Sequence, residues 1–263
     1  MERLLSFTML ALVASTGIAA SAPHFVFRKG DVLTYGVTVR AGDQALDGIV
    51  TLTVLEAKAD GTARIELAAS GTGRLTINGR LTPLEEARSS VVMVAKPNGT
   101  ILQFLDSSGR PVSMKERRKS LFAADGLVGD KVAVMRTLFG LQLPSTSVAI
   151  GGKWTGYQQA ESATSADLQH WQTQLEPVPV TYTFAGTREY QGRSCMVITY
   201  SVPAMSPDGT MSSIPTTIFF DASRGQVVGT TTGGSSSSQE PMIDTVVLKS
   251  YILADGSAEK PAP

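Results

Sequence analysis

The chain has 263 residues but only one cysteine and two histidines, and this scarcity excludes several kinds of site. Catalytic triads and Cys-His sites need a histidine held by a carboxylate, and the only local pair is His170 with Asp167. No G-x-S-x-G motif accompanies that pair. One cysteine and two separated histidines make neither an internal disulfide nor a structural zinc site. We interpret His24 as a residue of the mature N-terminus, His170 as an exposed loop residue and Cys195 as a core residue. The sequence thus assigns no catalytic, metal-binding or cofactor-binding residue.

The chain also has a formal net charge of zero. The 23 lysines and arginines balance 23 aspartates and glutamates, so no long-range field favours nucleic acid or an anionic membrane. The P-loop, G-x-G-x-x-G and D-x-D-x-D-G patterns are absent, which leaves nucleotide, dinucleotide and calcium sites without support. The cations within 115–119 indicate a solvated helix face or a docking patch for an anionic partner.

Carboxylates are the acid–base groups that remain. The candidates are Glu85, Glu86, Asp43, Asp47 and Asp221, and each lies in a predicted turn or on a predicted solvated face. A glycosidase needs two carboxylates that face each other across a cleft. A carbohydrate-active or other hydrolase therefore stays open as an alternative function.

The first 22 residues have the pattern of a secretory signal. Glu2 and Arg3 precede an apolar run that ends in Ala20-Ser21-Ala22, which predicts a signal peptide over residues 1–22. Cleavage after Ala19 or Ala20 and a retained anchor helix are alternatives. No later stretch is long and apolar enough to cross a bilayer, so the mature chain is predicted to lack a transmembrane segment. The protein is expected to be exported to the periplasm or the exterior, and the lack of disulfides favours a bacterial envelope.

The mature part is predicted to be mainly β because apolar and polar residues alternate along most of it. Val50, Leu52 and Val54 alternate with threonines, and Asn78-Gly79 has the composition of a hairpin turn. The centre differs, because a capping box at Ser113 and a second start at Asp130 indicate two short helices between residues 113 and 141.

The β-rich parts on either side of these helices align with each other. Residues 50–54 match 180–184 in pattern, and the alignment continues through the turn glycines Gly99 and Gly225. We therefore predict two diverged antiparallel repeats that form curved sheets, with two short helices between them. The predicted division is a signal peptide over 1–22, a first β repeat over 23–112, a helical connection over 113–149, a second β repeat over 150–254 and a disordered tail over 255–263.

Several short segments carry a family resemblance. Lys29-Gly30-Asp31 with Tyr35, together with residues 141–144 and Gly151-Gly152-Lys153-Trp154, resembles a loosely defined group of uncharacterised exported bacterial proteins. The alternation of strands and short helices is similar in outline to periplasmic lipoprotein-carrier folds. Neither resemblance implies a catalytic residue.

Aromatic residues are few, at 6%, and most of those in the second β part fall at alternate positions. Such spacing favours a core or the wall of an apolar pocket inside a curved sheet. We expect an exported, non-enzymatic protein that binds an apolar ligand or an envelope partner, with a structural or adhesive surface module as a further alternative. The aromatic residues concerned are Trp154, Tyr157, Tyr182, Phe184, Tyr200 and Phe219.

Overall fold

The computed structural model describes residues 22–41, 44–77, 80–105, 109–111, 141–163, 173–205, 211–236 and 239–259. These residues form strands in which β-branched and aromatic side chains alternate with polar ones, as a half-buried sheet requires. The strands are β1 (Val32–Ala41), β2 (Gln44–Ala57), β3 (Ala63–Ile77), β4 (Arg80–Ala95), β5 (Ile101–Leu105), β6 (Lys153–Ala163), β7 (Thr173–Tyr190), β8 (Arg193–Met205), β9 (Met211–Asp221), β10 (Gln226–Ser236), β11 (Gln239–Ile252) and β12 (Ala258–Glu259).

All of the described strands belong to one antiparallel sheet. Its order is β5-β4-β3-β2-β1-β11-β10-β9-β8-β7-β6, and the short β12 pairs with β11. Two meanders, β1 to β5 and β6 to β11, meet where β1 pairs with β11 from Val32 opposite Ile252 to Ala41 opposite Met242. The long-range pairing of the first long strand with the last therefore makes the two halves one sheet.

The prediction of two repeat sheets with helices between them is wrong. Each half of the sequence forms one meander, as the repeat would require. However, β1 and β11 pair with each other along their length, so neither is the edge strand of a separate sheet. The physical reason is that an unpaired strand edge leaves backbone donors and acceptors open, and each meander supplies such an edge to the other. The described residues contain no helix, and the helices predicted between residues 113 and 141 lie outside those residues except for Leu141, which is not helical.

The sheet is strongly curved. Strands β4 and β10 lie five positions apart in the sheet order, a separation of about 24 Å if the sheet were flat. The adjacent residues Phe25 and Val26 nevertheless hydrogen-bond to Pro97, which follows β4, and to Gly225, which precedes β10. The curvature gives the sheet an inner face, which we define as the face that carries Leu33, Tyr35 and Val37.

The inner face holds a single core to which both meanders contribute. Each large side chain removed from water there stabilises the fold by about 1.5 to 3 kcal/mol. Leu141 and Leu143, which precede β6, belong to the same core. The largest fully buried side chains are Tyr35, Tyr182, Phe220, Ile65, Met93, Leu141, Ile198, Ile218, Leu248, Val54 and Val228.

Strands β3 and β4 lie on either side of the hairpin turn predicted at Asn78-Gly79. Both turn residues lie outside the described part of the chain, but Ile77 and Arg80 on either side of them pair directly. The predicted signal over 1–22 lies almost wholly outside the described residues and stays a prediction. Within the part of the chain that the structure describes, no helix has the length and apolar character needed to cross a membrane.

Candidate functional site

Residues 24–27, called here the N-terminal segment, cross one end of the curved sheet between two turns. The backbone N–H of Phe25 donates to Pro97 O at 2.6 Å, and that of Val26 donates to Gly225 O at 3.0 Å. Successive N–H groups of an extended chain point to opposite sides, so one residue can serve each turn. The N-terminal segment thus connects the β4–β5 turn of the first meander with the β9–β10 turn of the second.

Aromatic packing supplements these hydrogen bonds. The rings of Phe25 and Phe27 stack at a centroid separation of 5.8 Å and an interplanar angle of 4°. The Phe25 ring also meets Phe220 of β9 edge-on, at 5.4 Å and 81°. Pairs of this kind contribute about 0.5 to 1.5 kcal/mol beyond the area that they bury. The segment is therefore held by its side chains as well as by its backbone.

Two glycines make room for the N-terminal segment. Gly99 has φ +87° and Gly225 has φ +65°, a backbone region that side-chain-bearing residues seldom adopt. A Cβ on Gly99 would collide with Leu141 O and approach Phe25, and one on Gly225 would lie 2.5 Å from Val26 N. The two glycines that the sequence alignment placed opposite each other therefore hold the same segment from its two sides.

A cavity of about 40 Å³ lies beneath the N-terminal segment, and we call it the end pocket. Its walls come from the N-terminal segment, from the turn glycines and from the ends of β1 to β4 and β10. Nearly all of this lining is apolar. The lining residues are Phe25, Val26, Phe27, Leu33, Tyr35, Leu52, Val54, Ile65, Ala95, Gly99, Gly225, Gln226 and Val227.

Two polar side chains line the end pocket. Tyr35 is buried and donates its hydroxyl to Val227 O at 3.0 Å, a carbonyl at the bulge where β10 loses register with β9. Burial, aided by nearby Tyr251, raises the pKa of Tyr35 well above its ordinary value, so the hydroxyl stays protonated. Gln226 is only 4% exposed, and its Nε2 has no hydrogen-bond partner within the described ranges. The residues around the pocket thus include one buried amide donor that has no partner among the described residues.

The aromatic residues predicted for a core or a pocket wall do not line the end pocket. Trp154, Tyr182 and Tyr200 form a row across β6, β7 and β8, with centroid separations of 5.5 and 5.2 Å. Tyr182 and Tyr200 belong to the buried core, whereas Tyr157 is 57% exposed. Phe219 packs against Tyr190 at 3.9 Å. Trp154, Tyr182, Tyr200 and Phe219 therefore pack in or against the core, whereas Tyr157 does not.

The side chain of Gln142 covers part of strand β6 at the edge of the sheet. Its Nε2 donates to Tyr157 O, and its Oε1 accepts from Tyr157 N, both at 3.0 Å. The indole of Trp154 donates to Gln142 O at 2.6 Å. A side-chain amide thereby takes the place that a neighbouring strand would fill and blunts an edge that could pair with another chain.

The candidate carboxylate Asp221 is a structural residue. It is 3% exposed, and its Oδ2 lies 3.3 Å from Arg193 NH1 and 3.8 Å from Arg224 Nε. Its Oδ1 accepts from the N–H and the hydroxyl of Ser223, at 3.0 and 2.6 Å. Both oxygens are therefore occupied, and Asp221 does not line the end pocket.

Of the other histidine and charged candidates predicted from the sequence, only His24 has a side chain within the described part of the chain. His24 is exposed, and its ring lies 3.1 Å from Ala22 O. The side chains of the remaining candidates lie outside the described part of the chain: Asp43, Asp47, Glu85, Glu86, residues 115–119, Asp167 and His170.

The sequence prediction missed Phe25, Gln226 and Asp31. Asp31 is 1% exposed, and its Oδ2 accepts the hydroxyl of Tyr251 at 2.7 Å. It was noticed only as part of a resemblance. Phe25 and Phe27 alternate with Val26 directly after the predicted signal peptide, and this pattern could have indicated an extended segment docked on the sheet.

We predict that the Cys195 thiol is inert in the folded protein. Cys195 is fully buried, and burial, reinforced by nearby Asp221, raises the pKa of the thiol to about 11 despite the opposing effect of Arg193. The thiolate is the reactive form, so at pH 8 a thiol-specific reagent should react at least about 100-fold faster in guanidinium than in native buffer. Equal rates in the two solutions, followed by absorbance, would contradict the buried position.

No family model and no curated protein sequence matches the chain. Solved structures similar to it include two lipoproteins. The hypothetical lipoprotein YmcC from Escherichia coli is 12% identical, with a TM-score of 0.30 over 81% of this chain and 82% of that one. A putative lipoprotein from Parabacteroides distasonis is 12% identical, with a TM-score of 0.36 over 87% and 97%. Neither likeness assigns a ligand or a residue role to this chain.

Proposed function

We propose that the chain is an exported, non-enzymatic envelope protein that binds an apolar ligand in the end pocket. The observation that carries the proposal is the almost wholly apolar lining of the end pocket. Gln226, one of its two polar residues, has a buried Nε2 without a partner in the described part of the chain. Buried polar groups are nearly always hydrogen-bonded, so an acceptor oxygen on a ligand suits this position. The ligand class that fits is an apolar chain that carries one acceptor oxygen, such as a carboxyl or an ester.

The size of the end pocket limits what enters it without rearrangement. One water molecule needs about 10 to 15 Å³ of cavity volume measured in this way, so about 40 Å³ holds a few water molecules or a short alkyl end. A longer chain has to displace a wall. The N-terminal segment is held by two backbone hydrogen bonds to the turns, whereas the strands among the other walls are paired on both sides.

Export is part of the same proposal. It is supported by the charged, apolar and small-residue pattern of residues 1–22. The hydrolase alternative is not proposed, because Asp221, the one candidate carboxylate whose side chain is described, has its oxygens engaged by Arg193, Arg224 and Ser223.

Enlarging the end pocket is predicted to strengthen ligand binding. Leu52 lines the pocket, and Leu52→Ala removes part of that wall. After lipid has been removed and dodecanoic acid added, we expect the wild-type protein to bind one molecule of this acid in native mass spectrometry. The variant should bind it about tenfold more tightly, which corresponds to about 1.4 kcal/mol of binding free energy.

Leu67→Ala is the matched control. Leu67 is the direct cross-strand partner of Leu52 and is equally a buried leucine, but it does not line the end pocket. Both substitutions should lower the free energy of unfolding by about 2 to 5 kcal/mol. Only Leu52→Ala should gain affinity. Absence of any bound fatty acid from the wild type and from Leu52→Ala would refute the ligand proposal.

A further inference from the structure

The N-terminal segment makes the contacts of a bound peptide. It has no strand of its own, and it meets the rest of the fold through two backbone hydrogen bonds and through the rings of Phe25 and Phe27. Short peptides that bind in an extended form use the same combination, in which backbone bonds give affinity and pockets for alternate side chains give specificity.

The groove that receives the segment is formed by two rigid turns. In the first turn, Gly99 N–H donates to Lys96 O at 2.9 Å, and in the second, Gly225 N–H donates to Asp221 O at 2.8 Å. Asp221 is itself fixed by Arg193. The carbonyl groups of Pro97 and Gly225 face the groove, and both belong to turns closed by their own backbone hydrogen bonds.

The side-chain requirements of the groove follow from its walls. The first position, filled by Phe25, takes an aromatic ring because that ring packs nearly perpendicular to the ring of Phe220. The third position, filled by Phe27, takes a ring that stacks on the first. The middle position, filled by Val26, lies against Gly225, where a Cβ would come within 2.5 Å of Val26 Cγ2. The walls thus fit an aromatic–aliphatic–aromatic sequence in an extended form.

We propose that this groove is a peptide-binding site for an extended aromatic–aliphatic–aromatic segment, and that residues 25–27 of the same chain are its exchangeable occupant. The connection to β1 supports exchange, because Arg28 and Lys29 are exposed and lead into a turn at Gly30 with φ +93°. The proposal concerns the groove that holds the segment and does not require a ligand in the end pocket.

The test is cleavage of the full-length folded protein behind the segment. A specific protease site is inserted between Arg28 and Lys29, and the protein is cut after it has folded. The freed peptide should co-elute with the protein in gel filtration, and a fluorescent synthetic peptide of residues 23–28 should replace it with saturable binding. The same peptide with Phe25→Ala and Phe27→Ala should bind at least about tenfold more weakly, as the loss of two ring contacts requires.

The other possible outcomes of the cleavage experiment also support or overturn the peptide-binding proposal. If the cut protein keeps its sheet by circular dichroism but binds no peptide, the groove is not a peptide site. If cutting unfolds the sheet, the added peptide must restore the circular dichroism signal, and failure to do so also overturns the proposal. An uncut dimer that the peptide converts to monomer would place the segment of a second copy in the same groove, which supports the site. None of these readouts uses an apolar ligand, so this inference and the proposed function can fail separately.

Discussion

Replacement of Asp221 by alanine is expected to lower the free energy of unfolding by about 3 to 5 kcal/mol, as removal of one partner of a buried ion pair does. The carboxylate lies 3.3 Å from a guanidinium group of Arg193, whose side chain is only 12% exposed. It also accepts from the N–H groups of Ser223 and Arg224, which order the β9–β10 turn. Urea denaturation followed by circular dichroism measures the change.

Asp255 provides a matched control for this substitution. Its Oδ1 accepts from the N–H and the hydroxyl of Ser257, at 2.8 and 2.6 Å, as Asp221 does from Ser223. Asp255 is exposed, and these hydrogen bonds lower the pKa of its carboxyl below the ordinary value. Asp255→Ala should change the urea midpoint far less than Asp221→Ala. Similar midpoints for the two variants would show that the buried ion pair does not stabilise the fold.

The second large effect is expected for Gly225→Ala. At φ +65° an alanine is strained by about 1 to 2 kcal/mol, and its Cβ would lie 2.5 Å from Val26 N and 2.6 Å from His24 O. The collision displaces the N-terminal segment, which loses the hydrogen bond of Val26 and the ring contacts of Phe25. We expect a total loss of about 3 kcal/mol in the free energy of unfolding.

Gly256→Ala is the control that separates backbone strain at positive φ from the collision with the N-terminal segment. Gly256 has φ +82°, but nothing lies within 4 Å of the position that its Cβ would take. This variant should therefore lose only the backbone term of about 1 to 2 kcal/mol. In hydrogen exchange, the amides of Phe25 and Val26 should lose protection in Gly225→Ala and keep it in Gly256→Ala. Unchanged protection in both variants would mean that Gly225 does not hold the segment.

The strands could be predicted from the sequence because alternation records which side chains face the core. Leu33, Tyr35 and Val37 show the pattern and are buried. Which strands pair with each other in the sheet was harder to predict. The pairing of β1 with β11 depends on backbone groups that every residue carries, so two separate sheets were equally compatible with the pattern. This is why the mainly β character was predicted and the single sheet was not.

The candidate site could be predicted only in fragments. Gly99 and Gly225 were identified as turn glycines, since glycine in such positions is a local signal. Their joint contact with Phe25 and Val26 depends on curvature that brings β4 and β10 together, which no local pattern records. Gln226 gave no signal because its unused amide follows from burial alone.

Binding of an apolar chain in the end pocket is tested most directly by an NMR titration of delipidated ¹⁵N-labelled protein with dodecanoic acid. We expect saturable shifts at the amides of Phe25, Val26, Leu52 and Val227, which surround the pocket, and unchanged signals at Tyr190 and Phe219, which pack away from it. Signals that do not move, or that move only outside the pocket lining, would contradict the account.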